Sequence, residues 1–258
     1  VPRLSVTIIA RDEERDLPAC LESVAFADEI VVVVDSSSRD RTRDIAQAAG
    51  ARVLERPFQG FAAQKQFALE QASGDWVLNL DADERCSSAL REAIAGAIAR
   101  GGVGGYQVRF ETWLFGRRAR FGGFSGERHL RLFRREGARY PPRSVHEGVE
   151  VEGDVLALDA PIRHDTYRSL EEYLDKINRY TSAAAADRFA EGRRFSALAV
   201  ARGGWGFLRR YVLQLGFLDG YTGLVFAAMS GLYDFLKIAK LADLEREQRA
   251  LPRGPSAP

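Results

Sequence analysis

The sequence predicts a doubly wound α/β fold, on three observations. Strand-like and helix-like patterns alternate from residue 4 to about residue 102. One strand, Glu29 to Asp35, is an unbroken apolar run of Ile30 and four valines, the pattern of a parallel strand covered on both faces. Three predicted strands end in polar groups, at Ala10-Arg11-Asp12, Asp35-Ser36 and Asp81-Ala82-Asp83. In open α/β sheets ligands sit beyond the carboxyl ends of the strands, so that edge is the expected site.

The elements follow in order. Leu4 to Ala10 is a β-branched run, followed by an acidic helix start (Asp12, Glu13, Glu14) and the apolar positions Leu17, Leu21 and Val24. After the Glu29–Asp35 strand, the polar turn Ser36 to Asp40 leads into a helix ending near Gly50. A short strand (Arg52 to Glu55), a helix from about Phe61 to Ala72 and the strand Trp76 to Leu80 complete a Rossmann-like half over residues 1–102. From 103 to 168, short strands at Tyr106–Phe110, His129–Phe133, Val149–Val151 and Val155–Leu158 alternate with Gly/Arg-rich loops, a partly antiparallel half that makes the sheet mixed. Residues 169–250 read as helical, and the proline-rich 251–258 as a disordered tail.

Composition excludes some functions. The chain of 258 residues can bury one large domain plus an appendage, and 37 basic against 36 acidic residues leave a net charge of +1. A nucleic-acid-binding domain is expected to be clearly basic, so no nucleic-acid partner is expected. The balance is uneven, because Trp113 to Ser144 carries nine arginines against two glutamates. Cys20 and Cys86 lack metal-ligand spacing and read as buried thiols in a reducing, cytoplasmic compartment. No basic-then-apolar signal segment precedes the first strand. The uncharged stretch Gly220 to Tyr233 is shorter than the ~18 apolar residues of a membrane span, so none is expected.

Asp81-Ala82-Asp83 follows a buried strand, and two carboxylates in a tight turn suit a hard divalent cation, Mn²⁺ or Mg²⁺. Such a cation neutralises charge on a departing nucleoside diphosphate. Taken alone, the triplet is a weak signal and reads rather as a solvated turn capping the helix that starts near Ser87. A phosphatase-type Asp-x-Asp belongs after the first strand with Thr or Ser two residues beyond. Here three strands precede it and Arg85 holds that position.

The order of further segments resembles inverting family-2 glycosyltransferases of the GT-A fold. Val6 to Glu14, Cys20 to Val24, Asp28 to Ser36, Gly60 to Gln66 and Gly74 to Glu84 match their opening half. Arg131-Leu132-Phe133-Arg134, Val145-His146-Glu147, His164-x-x-Tyr167 and Gly216 to Gly220 resemble the bacterial lipopolysaccharide inner-core β-1,4-glucosyltransferases in particular. Asp12 departs from the pattern, which usually has Asn there.

The resemblance implies that Ala10, Arg11, Glu13 and Asp35 hold base and ribose, that Lys65 lies near the donor phosphates or base, and that Asp81, Ala82 and Asp83 hold the diphosphate. It also implies a metal shell of Asp83, His164 and Asp81. Glu13 equally suits a helix N-terminus, and Lys65 a solvated helix face. The resemblance implies an acceptor half within 103–168. There Glu147 serves as the base that deprotonates the acceptor hydroxyl, with His146, Arg128 and Arg131 binding acceptor; the rival assignment is that His146 or Glu147 only orders the acceptor loop. The arginines Arg117, Arg118, Arg120 and Arg134, interleaved with aromatics, read either as solvated charges or as a face for a lipid-linked or phosphorylated saccharide. Trp205 to Leu241 reads either as core helices or as an interfacial element on an anionic membrane surface, the inner membrane's cytoplasmic face. The expected reaction is transfer of a hexose, glucose from UDP-glucose, to a lipopolysaccharide inner-core sugar. A peptide or other lipid-linked acceptor and a nucleotidyltransferase remain as alternatives, the latter disfavoured by the acidic, Gly-free Arg11-Asp12-Glu13-Glu14.

Overall fold

The computed structural model describes residues 2–141 and 148–250. The expected base Glu147, its neighbour His146 and the tail 251–258 lie outside them. The chain divides into two compact units, one of Val1–Glu111 with Gly126–Asp165 and the other of Thr112–Ser125 with Thr166–Pro258.

The first unit is the α/β body. Strands β1 (Leu4–Ala10), β2 (Glu29–Asp35), β3 (Arg52–Arg56) and β4 (Trp76–Asp81) run parallel in the order β3-β2-β1-β4. Helices α1 (Leu17–Ser23), α2 (Thr42–Ala48), α3 (Phe61–Gln71) and α4 (Ser88–Arg100) follow strands in the alternation the sequence predicts. Val31 to Val34 are all buried, because Val32 and Val34 pack into the main core with Ile8 and Leu80 while Val31 and Val33 pack on the opposite face with Ala68. Burying each such side chain contributes about 1.5–3 kcal/mol, which is why this strand tolerates no alternation. Gly74 admits β4 to the sheet, since a Cβ there would lie 2.7 Å from the Ser5 nitrogen.

The sheet continues through antiparallel strands β6 (Gly105–Leu114), β8 (Arg128–Arg134) and β9 (Val155–Tyr167), in the order β4-β8-β6-β9-β5, so the sheet is mixed. β9 runs well past the Val155–Leu158 segment read from sequence, and Val149–Val151 contributes a single bridge, Arg139 to Glu150, rather than a strand. The sequence reading contained no β5 (Glu84–Cys86), the three residues directly after the carboxylate triplet. They pair antiparallel with β9 in the register Glu84 to His164. Ser87 then caps α4, its hydroxyl accepting from the Leu90 amide at 3.2 Å and donating to the Pro161 carbonyl at 2.9 Å.

The second unit is mostly helical. It contains the short β7 (Arg117–Arg118) paired with the end of β6, then α5 (Leu170–Ala190), α6 (Ala197–Leu208) and α7 (Gly220–Ala250). Ser169 caps α5 by accepting from the Glu172 amide, and Glu172 reaches back to the Arg168 amide. Between α6 and α7 the helix breaks, through a π-helical turn at Arg209–Leu213 and a 3₁₀ turn at Gly216–Asp219. Asp219 holds the break to the Thr112–Ser125 loop, one carboxylate oxygen accepting from the amides of Arg120 and Phe121 at 2.9 and 2.8 Å. α6 crosses α7 on glycines, since a Cβ on Gly231 would meet the Gly203 carbonyl oxygen at 2.7 Å. No single described helix is long and apolar enough to cross a membrane, although Gly203–Leu213 and Gly216–Arg249, bent by 72°, pass that composition test as a pair.

Candidate active site

The register of the parallel strands gathers the predicted residues at one edge. Ala10 pairs with Val34, one residue before Asp35, and Ile9 pairs with Asp81, so the ends of β1, β2 and β4 stand level. Asp35 is buried, with Oδ1 accepting from the Ser37 amide at 2.9 Å and Oδ2 accepting no hydrogen bond among the described residues. The Ser37 amide holds its pKa below the ordinary carboxylate value against the opposing effect of burial, with help from Arg11, whose Nη1 lies 3.8 Å from Oδ2. A buried, ionised acceptor beside an exposed arginine can take a ligand hydroxyl. The Glu13 amide donates to the Thr42 hydroxyl at 2.7 Å, tying the β1–α1 turn to α2.

Asp12 explains the departure from Asn. Its backbone is left-handed (φ 55°), a conformation that Asn and Asp tolerate better than other non-glycine residues. Its Oδ1 accepts from the Arg39 amide at 2.8 Å and its own amide donates to Ser38 Oγ at 3.0 Å. Asp12 thus fastens one strand-end loop to the next.

The triplet divides in two. Asp81 Oδ1 is 2.8 Å from Lys65 Nζ and Oδ2 is 3.0 Å from Arg131 Nη2. Lys65 and Arg131 expose only 7 % and 12 % of their side chains. Burial favours the neutral form of Asp81, but Arg131 and Lys65 outweigh it and hold the carboxyl far below its usual range. Arg131 also donates to Asn79 Oδ1 at 3.0 Å and to Glu84, with its guanidinium over the Phe110 ring. Glu84 is 1 % exposed and its other oxygen accepts from the Asp81 amide at 3.0 Å. Burial, reinforced by Asp81 and opposed by Arg131, pushes its pKa up to about 7.

Asp83 points elsewhere. Its Oδ2 lies 3.2 Å from His164 Nε2, and both side chains are about a quarter exposed (28 % and 27 %). The β5–β9 pairing brings them together from 81 residues apart, and the Asp165 amide donates to the Asp83 carbonyl at 3.1 Å. Burial disfavours the imidazolium, yet the hydrogen bond and charge of Asp83, with Glu84 and Asp81 behind, leave the pKa of His164 raised.

Several expectations change here. Asp81 was expected on a metal, but each of its oxygens is paired with a cation, because the nearly buried Lys65 and Arg131 must themselves be neutralised locally. Lys65, expected near phosphate, is the first of those cations. Arg131, expected to bind acceptor, lies inside the sheet, where the inward face of β8 meets β4. Arg128 is tied to β9, donating to the Leu158 carbonyl at 2.9 Å and pairing with Asp159. Arg134 donates to the Val103 carbonyl and covers Trp76. Sequence reasoning gave Glu84 and Asn79 no role. Asn79 lies between Leu78 and Leu80 on a buried strand and Glu84 shares a face of β5 with buried Cys86, a signal visible only once the strand bounds are known. Cys20 and Cys86 are buried free thiols.

A divalent cation fits part of this arrangement. Asp83 and His164 offer one carboxylate and one imidazole, both acceptable to Mn²⁺. No group of three or more His, Cys, Asp or Glu side chains with metal-binding geometry occurs among the described residues. Two protein ligands match cations that take their remaining oxygens from substrate phosphates and water.

The model of the family described as "Glycosyl transferase family 2" matches residues 5–150, more than half of the chain. The chain belongs to this family. The transferase is 36% identical over 248 residues to the lipopolysaccharide core biosynthesis glycosyltransferase LpsC of Rhizobium meliloti (strain 1021), across 92% of this chain and 91% of that protein. It is 29% identical over 260 residues to an uncharacterized glycosyltransferase of Rickettsia typhi (strain ATCC VR-144 / Wilmington), across 96% and 89%. Among solved structures it is similar to the mannosyltransferase PcManGT from Pyrobaculum calidifontis in complex with GDP-Man and Mn²⁺. That match has a TM-score of 0.50 at 16% identity, over 98% of this chain and 77% of that one, and it speaks for the fold. The family-2 transferase therefore has the mixed α/β sheet of the GT-A type, with Asp35 and the Asp81–Asp83 turn at the carboxyl ends of its parallel strands.

Proposed function

We propose that this glycosyltransferase moves a hexose, glucose from UDP-glucose, onto a core saccharide of lipopolysaccharide with a divalent cation bound. The observation that carries the donor half is the level edge where Asp35 Oδ2 and the Asp83–His164 pair stand beyond the parallel strands. Asp35 takes a ribose hydroxyl, and Asp83 with His164 hold the cation. Such a cation supplies neutralisation of the leaving diphosphate. The charge-neutral cluster of Lys65, Asp81, Arg131 and Glu84 supports the turn from below. Glu147 takes the proton from the acceptor hydroxyl as that oxygen attacks the anomeric carbon, the base role implied by family resemblance.

Support for the acceptor comes from LpsC, which is named for lipopolysaccharide core biosynthesis. The reading includes peripheral attachment to the cytoplasmic face of the inner membrane. Trp205, Leu213, Leu218 and Tyr221, each more than half exposed, cluster around the break between α6 and α7 with Arg209 beside them. Apolar side chains flanked by cations suit an anionic leaflet. A thermal-shift panel of nucleotide sugars with Mn²⁺ or Mg²⁺ tests the donor. UDP-glucose with Mn²⁺ is expected to stabilise the protein most, and a metal-independent response to every nucleotide alike would overturn the assignment. Flotation with phosphatidylglycerol vesicles tests attachment. Wild type is expected to float and Leu213→Glu/Leu218→Glu to sediment.

A further inference from the structure

The helical unit contains a cavity of its own, about 430 Å³, which the chemistry above does not use. One wall is a stack of rings. Tyr167 and Tyr173 lie 3.8 Å apart between centroids at 17°, and Phe226 continues the stack 6.3 Å from Tyr173, again at 17°. Tyr180 stands at the rim, 48% exposed. Such a wall is rigid, because packed rings have few rotamers to lose on binding.

Three cations line the same cavity. Lys176 sits over the Tyr167 ring at 5.0 Å and Arg210 over Phe226 at 4.8 Å, while Arg209 borders the opening. Among the described residues neither Lys176 nor Arg209 has a carboxylate within ion-pair distance. The lining contains one carboxylate, Asp234, and Lys237 already neutralises its Oδ1 at 2.6 Å. The contrast with the α/β unit is informative, because there Lys65 and Arg131 are both matched by carboxylates. Lys176 and Arg209, lining one cavity without a matching carboxylate among the described residues, make a standing positive field, which an anionic ligand would complete.

Rings and cations together define the ligand. The apolar C–H faces of a pyranose pack on aromatic rings, the hydroxyls of Tyr180 and Tyr233 can meet sugar hydroxyls, and paired cations hold a phosphate. We propose that this cavity binds a phosphate-bearing saccharide, free or as the headgroup of a glycolipid. The proposal deepens the acceptor reading above and rests on it only for the ligand's role as acceptor.

Calorimetry on the full chain with glucose 6-phosphate, glucose 1-phosphate, glucose and inorganic phosphate tests the chemistry. Flotation with phosphatidylcholine vesicles carrying monophosphoryl lipid A tests the lipid source. A sugar phosphate, the lipid A vesicles or both are expected to bind better than glucose, phosphate or phosphatidylcholine alone. Each cation removed, as Lys176→Met and Arg209→Met, is expected to weaken that binding about tenfold, and Tyr180→Leu by less. Unchanged melting temperatures establish that the variants fold. Saturable binding of neither the sugar phosphates nor the lipid A vesicles, or binding indifferent to both cation variants, would overturn the proposal. Donor binding measured on the same samples keeps the two readings apart. Loss of UDP-glucose binding strikes the donor site, whereas loss of phosphosugar binding with donor binding intact identifies this cavity.

Discussion

Asp81 and Asp83 stand two residues apart in one turn, yet they belong to two different regions. Asp81 enters a cluster with Lys65, Arg131 and Glu84 in which every charge has a partner. Asp83 faces His164 at an edge where both side chains reach solvent. The difference teaches that a carboxylate motif is divided by its partners, since the two side chains are similarly exposed, 35% for Asp81 and 28% for Asp83. Asp81 has each oxygen held by a nearly buried cation, Lys65 or Arg131, and it is then unavailable to a ligand. Asp83, whose partner is one part-exposed imidazole, is the carboxylate that the proposed function assigns to a cation and a diphosphate.

The comparison breaks most visibly on the buried side. Arg131→Met leaves Glu84 buried without its guanidinium, and the expected loss is about 3 kcal/mol of unfolding free energy near pH 8 by urea denaturation. The loss should be smaller near pH 6, because Glu84, with its pKa already at about 7, can then take a proton and shed the unpaired charge. A pH-independent loss would mean that Glu84 is not the group left stranded.

On the exposed side, Asp83→Ala is expected to weaken Mn²⁺-dependent UDP binding at least about 100-fold, roughly 2.7 kcal/mol. Its melting temperature should move little, since half-exposed pairs contribute about 1 kcal/mol or less. Calorimetry and thermal melting on one sample test both halves, and a large fall in melting temperature would place Asp83 with Asp81 as a structural residue.

The smallest effect sharpens the same contrast. His164 has a folded pKa raised above its ordinary value near 6.5. In the metal-free protein its pairing with Asp83 therefore contributes fully below that ordinary value and is lost as pH rises through the folded one. The stability advantage of wild type over His164→Gln, at most about 1 kcal/mol, should shrink as pH rises above the ordinary value near 6.5 and through the raised folded one. An advantage that grew over that range would show that the imidazole is held neutral.

Much of the fold was legible because local pattern and tertiary burial agree. Leu4–Ala10 and Glu29–Asp35 fall on the predicted bounds, since a strand apolar on both faces has one place to go. The helical end was less legible. Helix signals run from Ser169 to Arg249, and only the glycines Gly216 and Gly220 mark the break at Arg209–Asp219 locally, while tertiary contacts such as Asp219 to the Arg120 and Phe121 amides hold it in place. Among site residues, Asp35 and the triplet were visible at strand ends, whereas Glu84 passed as one more letter of the motif because its role depends on a β5 only three residues long.

For the triplet on which the argument turns, the sequence by itself determined that two carboxylates would leave the end of a buried parallel strand, because apolar runs and their polar ends are local properties of the chain. Only the tertiary structure decided their separate roles. Arg131 and Lys65 reach Asp81 from other elements, and antiparallel pairing carries His164 to Asp83 across 81 residues. Charge neutralisation depends on what lies within a few ångströms in space, and no spacing along the chain encodes that distance.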